Sequence, residues 1–239
     1  MPCLGVRNGI LPILIAAWLV IAALPSVSWA QTESPDGGAE PGHKRILGII
    51  PNYRTSPPLT DYHPLSVKDK FKVAAQDAAD PGTFVLAGLF AAQAQWTSAT
   101  PSFGTGVPAY FRYYAASATD FIVGDFMTEA IYPAMLRQDP RYFRKGTGSG
   151  WARFGYAISQ IVQTRGDSGK MQVNVSEIAG NATAVAISNA YYPDNRSARS
   201  NAAKLGIQLG VDAISNVLKE FSPDLERLFS HSHPTKSHD

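Results

Sequence analysis

From Leu65 to about Ser230 the apolar and polar positions recur with the 3.6-residue period of a helix, not the two-residue period of a strand. "LSVKDKFKVAAQDAAD" begins at Ser66, a helix N-cap, with Asp69 three residues on to complete a capping-box-like start. "PGTFVLAGLFAAQAQW" opens with Pro81, whose fixed φ suits a first helical turn. "PAYFRYYAASATDFIVGDFMTEAIYPAMLRQ" reads as one long helix, or two joined at Pro133, because an interior proline removes a hydrogen bond and kinks the rod. "SGWARFGYAISQIVQTR", "NVSEIAGNATAVAISNAYY" and "ARSNAAKLGIQLGVDAISNVLKEF" complete the set, and "SPDLERLF" adds a short separate turn. Sustained alternation, an Asn-Gly hairpin pair and internal repeats are all absent from this stretch. The pattern predicts an all-α bundle of about six helices.

Small residues recur every four positions, from Gly88 to Ala92, Gly124 to Thr128, Gly155 to Ser159, Gly180 through Ala184 to Ser188, and Gly206 to Gly210. Glycine costs about 1 kcal/mol against alanine inside a helix, so close helix approach is the expected offset. Such seams suit a tight bundle at a surface or a bundle in lipid. The longest apolar run of the body, Thr83 to Ala92, is half of the roughly 20 residues that a span requires. Asp125, Glu129, Glu177 and Asp212 stand in mid-helix, where bilayer depth costs at least about 2.5 kcal/mol per charge. The pattern therefore favours a packed, surface-associated bundle over an inserted one.

The ends differ from the body. Residues 1–30 read as a signal peptide, with Arg7, the apolar run "ILPILIAAWLVIAAL" and small residues at "SWA" before Gln31. Residues 31–63 are a Pro/Gly-rich linker or strap whose apolar patch, Ile46 to Ile50, suits docking on the body. Residues 64–230 form the helical bundle domain, and residues 231–239 a polar tail. These boundaries predict an exported protein of the periplasm or outer envelope. Removing Arg7 takes the formal charge from +2 to about +1, because residues 1–30 hold no acid. That balance argues against nucleic acid as a partner.

The single cysteine, Cys3, lies within the signal segment, so the mature chain offers neither a disulfide nor a thiol nucleophile. The five histidines, His43, His63, His231, His233 and His238, all fall in the linker or tail. A catalytic triad, a histidine-metal site or a phosphohistidine needs one inside the body. No cofactor motif is present, so none is expected.

Two constellations remain. "RQDPRYFRKGTGSGWAR" gathers Arg137, Arg141, Arg144, Lys145 and Arg153 around glycines that include Gly146 and Gly148. Turned backbone N–H groups and a helix start near Gly150 suit an anion, and the interleaved Tyr142, Phe143 and Trp151 suit a headgroup surface. Lys145 precedes the glycines, so this is not the G-x-x-x-x-G-K-S/T phosphate loop. The plain alternative is a connector whose arginines pair with Asp139, Asp167 and neighbouring helix ends. The second constellation is a polar cluster of Asp125, Glu129, Arg165, Asn174 and Glu177, in which Asp125 and Glu129 share a helix face at i and i+4, with Asp120, Tyr132 and Asp212 also in view. It suits a hard metal or a general acid. It equally suits ion pairs with Arg112, Arg137, Arg153 or Arg165. The Glu-x-x-His of di-metal bundles is missing.

"DPRYFRKGTGS", "TRGDSGK", "NVSEIAG", "ISNAYYP" and "VLKEFSPD" together resemble an uncharacterised family of secreted bacterial helical proteins, a resemblance that implies no activity. The run from "AISQ" to "NVSEIAG" also resembles, in degenerate form, the last motif of the PAP2 phosphatase superfamily, S-R-x-x-x-x-x-H-x-x-S-D-x-x-x-G. Ser159 and Gly180 match, but Gln160 stands for the arginine, Asn174 for the nucleophilic histidine and Glu177 for the aspartate, at a longer spacing. "SFGTGVPAYF" is only loosely similar to the middle P-S-G-H motif and has no histidine. The resemblance implies a helical scaffold that has lost that chemistry. The sequence therefore predicts a non-catalytic, envelope-associated protein whose basic-aromatic loop meets anionic lipid or another envelope component, against an enzyme of degenerate PAP2-like or carboxylate-metal type.

Overall fold

The computed structural model describes residues 45–46, 50–56 and 62–230. Residues 1–30, read above as a signal peptide, most of the linker and the tail lie outside the described residues. The body is mostly helical. Its helices are α1 (Val67–Ala78), α2 (Pro81–Trp96), α3 (Gly106–Asp125), α4 (Tyr132–Leu136), α5 (Gly150–Ser159), α6 (Val175–Ser188) and α7 (Ala198–Ser230). A π-helical turn, Phe126–Ile131, joins α3 to α4, so the described residues form six helical rods.

Three two-stranded pairings tie the rods together. β1 (Arg45–Ile46) pairs antiparallel with β2 (Ile50–Pro51). β3 (Thr55–Ser56) pairs parallel with β4 (Tyr142–Phe143), with Thr55 opposite Tyr142. β5 (Gln163–Arg165) and β6 (Met171–Val173) form a hairpin closed through Gly169, which adopts φ +80°. Strands of two or three residues are too short to print an alternating pattern, which is why the sequence reads these segments as loops.

Local rules explain the helix starts. The Ser66 hydroxyl accepts the Asp69 N–H and bonds the Asp69 carboxylate in return. Asp80 caps α2 through the Gly82 N–H at 2.6 Å, and the same carboxylate holds Arg45 at 2.8 Å and the Tyr53 hydroxyl at 2.9 Å. The strap is thereby fastened where α1 gives way to α2, and Ile46 is buried beneath it.

One helical alternative is decided and one expectation changes. Pro133 does not break the long helix. It lacks the N–H that would bond residue 129, and the chain widens into the π turn just ahead of it. "SPDLERLF" is not a separate turn but the end of α7, which runs through Pro223. The Lys219 carbonyl that Pro223 leaves without its helical donor accepts instead from the Ser222 hydroxyl at 3.1 Å.

The interior is built from small and polar side chains. Ala74, Ala87, Ala91, Ala116, Ala130, Ala157 and Ala184 supply much of the buried apolar surface, with Tyr113, Tyr142 and Val185 as the larger members. Gly180 realises the expected seam: a Cβ there would stand 2.9 Å from Thr128 Cγ2 and 3.1 Å from the Met127 and Thr128 backbone. Gly88 lies close under Tyr110 and Tyr114. Gly124, Gly155, Gly206 and Gly210 face open space, so the four-residue spacing there marks no helix contact.

Candidate functional site

The basic loop is held from inside. The Glu220 carboxylate, fully buried on α7, accepts the Lys145 N–H at 2.9 Å, the Gly146 N–H at 2.9 Å, the Tyr142 hydroxyl at 2.8 Å and the Arg153 Nε at 2.9 Å. Burial alone would raise its pKa, but these donors outweigh burial and hold it below the usual carboxylate value. Arg153 also donates to the Glu220 carbonyl at 2.7 Å and pairs with Asp224 at 2.8 Å. The nest of N–H groups around Gly146, which adopts φ +67°, therefore closes on a carboxylate of the same chain. Arg141 pairs bidentately with Asp139 and lies over the Phe143 ring. Arg144 is half-buried, and the exposed Lys145 approaches the Tyr156 ring. Gly148 is exposed at φ +97°.

The polar cluster assembles around a different arginine from those the sequence offers. Arg54, carried inward by the strap between β2 and β3, places Nε 2.9 Å from Glu129 and 3.9 Å from Asp77. The Glu129 contact is close enough for an ion pair but is not aligned as a hydrogen bond. Asp125, Glu177, Asp212 and Lys219 complete the group. Asn181 links two of its members, donating to Asp212 at 3.0 Å and to Glu177 at 3.4 Å. The other expected partners lie elsewhere. Arg112 donates to the Phe103 carbonyl, and Arg137 ends α4 in a left-handed turn. Arg165 lies over the Tyr62 and Phe143 rings. Asp120 receives the hydroxyls of Tyr191 and Tyr192, and Tyr132 meets Thr183.

Five carboxyls to two cations leave a formal excess of three negative charges in this group. The interior answers by holding protons. Burial raises the pKa of Asp125 and Glu129 well above the ordinary range, and neighbouring Asp77 adds to it. Glu177 is pushed up to about 8 by burial and then by Asp212, to which it donates a hydrogen bond. Lys219 is lowered to about 8 by burial and by Arg54. For Arg54 burial pulls downward, but the carboxylates outweigh it and keep the guanidinium charged. Protons on Asp125, Glu129 and Glu177 cancel the excess and leave the group close to neutral.

Above the cluster, between β4, the β5–β6 hairpin and the start of α6, opens a small cleft of about 30 Å³ that is continuous with solvent. Arg54 and Glu177 belong both to its lining and to the cluster. The rest of the lining includes the amides Gln160, Gln163, Asn174 and Asn216 and the hydroxyl residues Thr128, Tyr142, Thr164 and Ser176. Its charges are compensated internally: Arg141 pairs with Asp139, and Arg54 is balanced by the carboxyl group around it. The Asn174 side chain caps α6 by accepting the Glu177 N–H, while its Nδ2 donates to the Gln160 carbonyl. Gln138 supports this end of α6, accepting the Ser176 N–H and hydroxyl and donating to the Val173 carbonyl. Among the described residues no trio of acidic, histidine or cysteine side chains is grouped to hold a metal ion.

Sequence reasoning missed Arg54, Asp77, Lys219 and Asn216. Part of the signal was available: Asp212, Asn216 and Lys219 stand at i, i+4 and i+7, one stripe of α7, and Glu177 and Asn181 at i and i+4 of α6. A polar stripe ordinarily faces water, and here both stripes face inward. No family model, no curated protein and no solved structure matches this chain.

Proposed function

We propose that this is an exported envelope protein that binds a small uncharged sugar at the mouth of the cleft above the Arg54–Glu177 group, with a single hydroxyl entering it. The observation that carries this reading is the lining: its charges are compensated within the protein, while amides and hydroxyls make up most of the remaining surface. Side-chain amides both donate and accept, which matches the hydroxyl groups of a sugar. A protonated Glu177, its O–H given to Asp212, presents a neutral carbonyl oxygen at the floor. Export rests on the N-terminal apolar run and its small-residue end. The basic loop enters this account as the clasp on Glu220 that holds one wall of the cleft, through Tyr142, rather than as the contact for an external anion.

The second reading, an enzyme, draws on one observation. Gln160, Asn174 and Glu177, the positions that resemble the PAP2 motif, all line the cleft. Asn174 cannot serve as a nucleophile, since an amide nitrogen is not basic and both ends of this side chain are engaged. Glu177 also shares a hydrogen bond with Asp212. With Asn174 non-basic and the Glu177 proton engaged by Asp212, binding is the better-supported function.

Calorimetric titration tests the proposal. Neutral N-acetylglucosamine or galactose binds, while charged glucosamine and glucuronate bind at least tenfold more weakly. Asn216→Leu weakens the neutral sugar by about tenfold, the cost of roughly one buried hydrogen bond. Equal binding of charged and neutral sugars, or none by either, refutes it.

A further inference from the structure

The outer face of α2 is the reverse of its setting. None of the helix's 16 residues is charged. Its exposed positions, Val85, Leu89, Ala92 and Trp96, form one continuous stripe at four- and three-residue steps, with Phe84 beside it. Leu89 is 61 % exposed and Trp96 90 %. The helix packs on α3 through Gly88, which sits under Tyr110 and Tyr114, and α3 adds the exposed Phe111 to the same hairpin.

The end of the hairpin at Trp96 carries a different chemistry. The Gln95 side chain reaches the Gly106 carbonyl, and the turn around Asn195 bonds the Ala99 carbonyl and Thr100. That turn brings Arg196 and Arg199, both exposed, to the same end as Arg112, which is exposed and donates to Phe103. Three arginines there face one acid, Asp194, which accepts the Ser102 N–H. An apolar stripe ended by an indole and flanked by arginines is the pattern of a helix lying in a membrane interface. At about 1.5 Å per residue α2 is about 24 Å long, short of the roughly 30 Å of a bilayer core, so it lies in the plane and does not cross. Among the described residues no helix is long and apolar enough to cross.

We propose that the α2–α3 hairpin docks the protein on an anionic bilayer, with Phe84, Val85, Leu89 and Trp96 entering the acyl boundary and Arg112, Arg196 and Arg199 meeting the headgroups. This interaction is independent of the cleft and of the basic loop.

The chain's only cysteine makes the test direct. In the full chain with Cys3→Ser, an environment-sensitive nitrobenzoxadiazole label is placed at Leu89→Cys or, as a control in a separate apolar patch, at Val162→Cys. Vesicles of phosphatidylcholine with about one third phosphatidylglycerol raise emission severalfold at position 89 and leave position 162 near its starting value. Phosphatidylcholine alone gives a markedly smaller rise at position 89, and so does the triple change Arg112→Ala, Arg196→Ala, Arg199→Ala. Equal responses at both positions, or none at position 89, overturn the proposal; the N-terminal apolar run could then still tether the chain, but not through this face. A concentration-dependent dimer in ultracentrifugation, abolished by Leu89→Gln, also overturns it by assigning the face to a second copy.

Discussion

Replacing Glu177 by glutamine isolates the most telling charge in the molecule. The side chain is buried, hydrogen bonds to Asp212, and has its pKa raised from an ordinary 4.5 to about 8. A carboxyl whose folded pKa is raised binds its proton more tightly when folded, so it favours the folded state at low pH, and this advantage is lost as pH rises from about 4.5 to about 8. At 1.36 kcal/mol per unit, the penalty approaches about 4–5 kcal/mol at high pH and is about 1 kcal/mol at pH 5. Glutamine keeps the donor and the shape but has no proton to lose. Urea unfolding of both proteins therefore gives similar stabilities at pH 5. At pH 9 the variant is more stable by about 3–4 kcal/mol, a large share of a domain's typical 5–15 kcal/mol. Lys219, lowered to about 8, adds an opposite slope from about pH 8 to 10.5, as its burial penalty is relieved when it loses its proton, but that slope is present in both proteins. A stability difference that stays constant between pH 5 and pH 9 refutes the proton-holding interior.

Glu220→Ala strips one carboxylate from two N–H groups, a tyrosine hydroxyl and a buried arginine, which costs about 3–5 kcal/mol; it lowers Tm by about 10 °C and speeds amide exchange at Lys145 and Gly146. Gly180→Ala forces its new methyl into Thr128 and the Met127 backbone and destabilises by about 1–3 kcal/mol. Gly206→Ala meets nothing within 4 Å and stabilises by about 0.5–1 kcal/mol, so thermal melts of the pair shift in opposite directions. Arg54→Met leaves the surrounding buried carboxyls without their arginine and costs about 3 kcal/mol or more at high pH, with a smaller loss at low pH, where the raised carboxyls hold their protons; denaturant midpoints at two pH values measure both.

The helices were legible because capping and period are local. Ser66 with Asp69, Pro81, and the periodic runs of α5 and α6 each declare themselves within about four residues. Pro223 misled because its effect on α7 depends on a hydroxyl one residue away, which no breaker rule records. The site was half legible. Asp125, Glu129 and Glu177 come together as a carboxylate group, but their partners are set by long-range contacts: Arg54 arrives from the strap, and Lys219 from the far end of the chain. The glycine loop looked open because the carboxylate that fills it, Glu220, lies about 75 positions downstream. Residue type identified an anion nest; only the fold could say whose anion it holds.

The sharpest test of the central claim is a titration of the isotopically labelled protein with N-acetylglucosamine, read at the side-chain amide signals of Gln160, Gln163, Asn174 and Asn216. The cleft account predicts saturable shifts at these four amides, unchanged in a Lys145→Ala variant, whose exposed loop cation lies outside the lining. Shifts confined to other amides, or no saturable shift at millimolar sugar, contradict it.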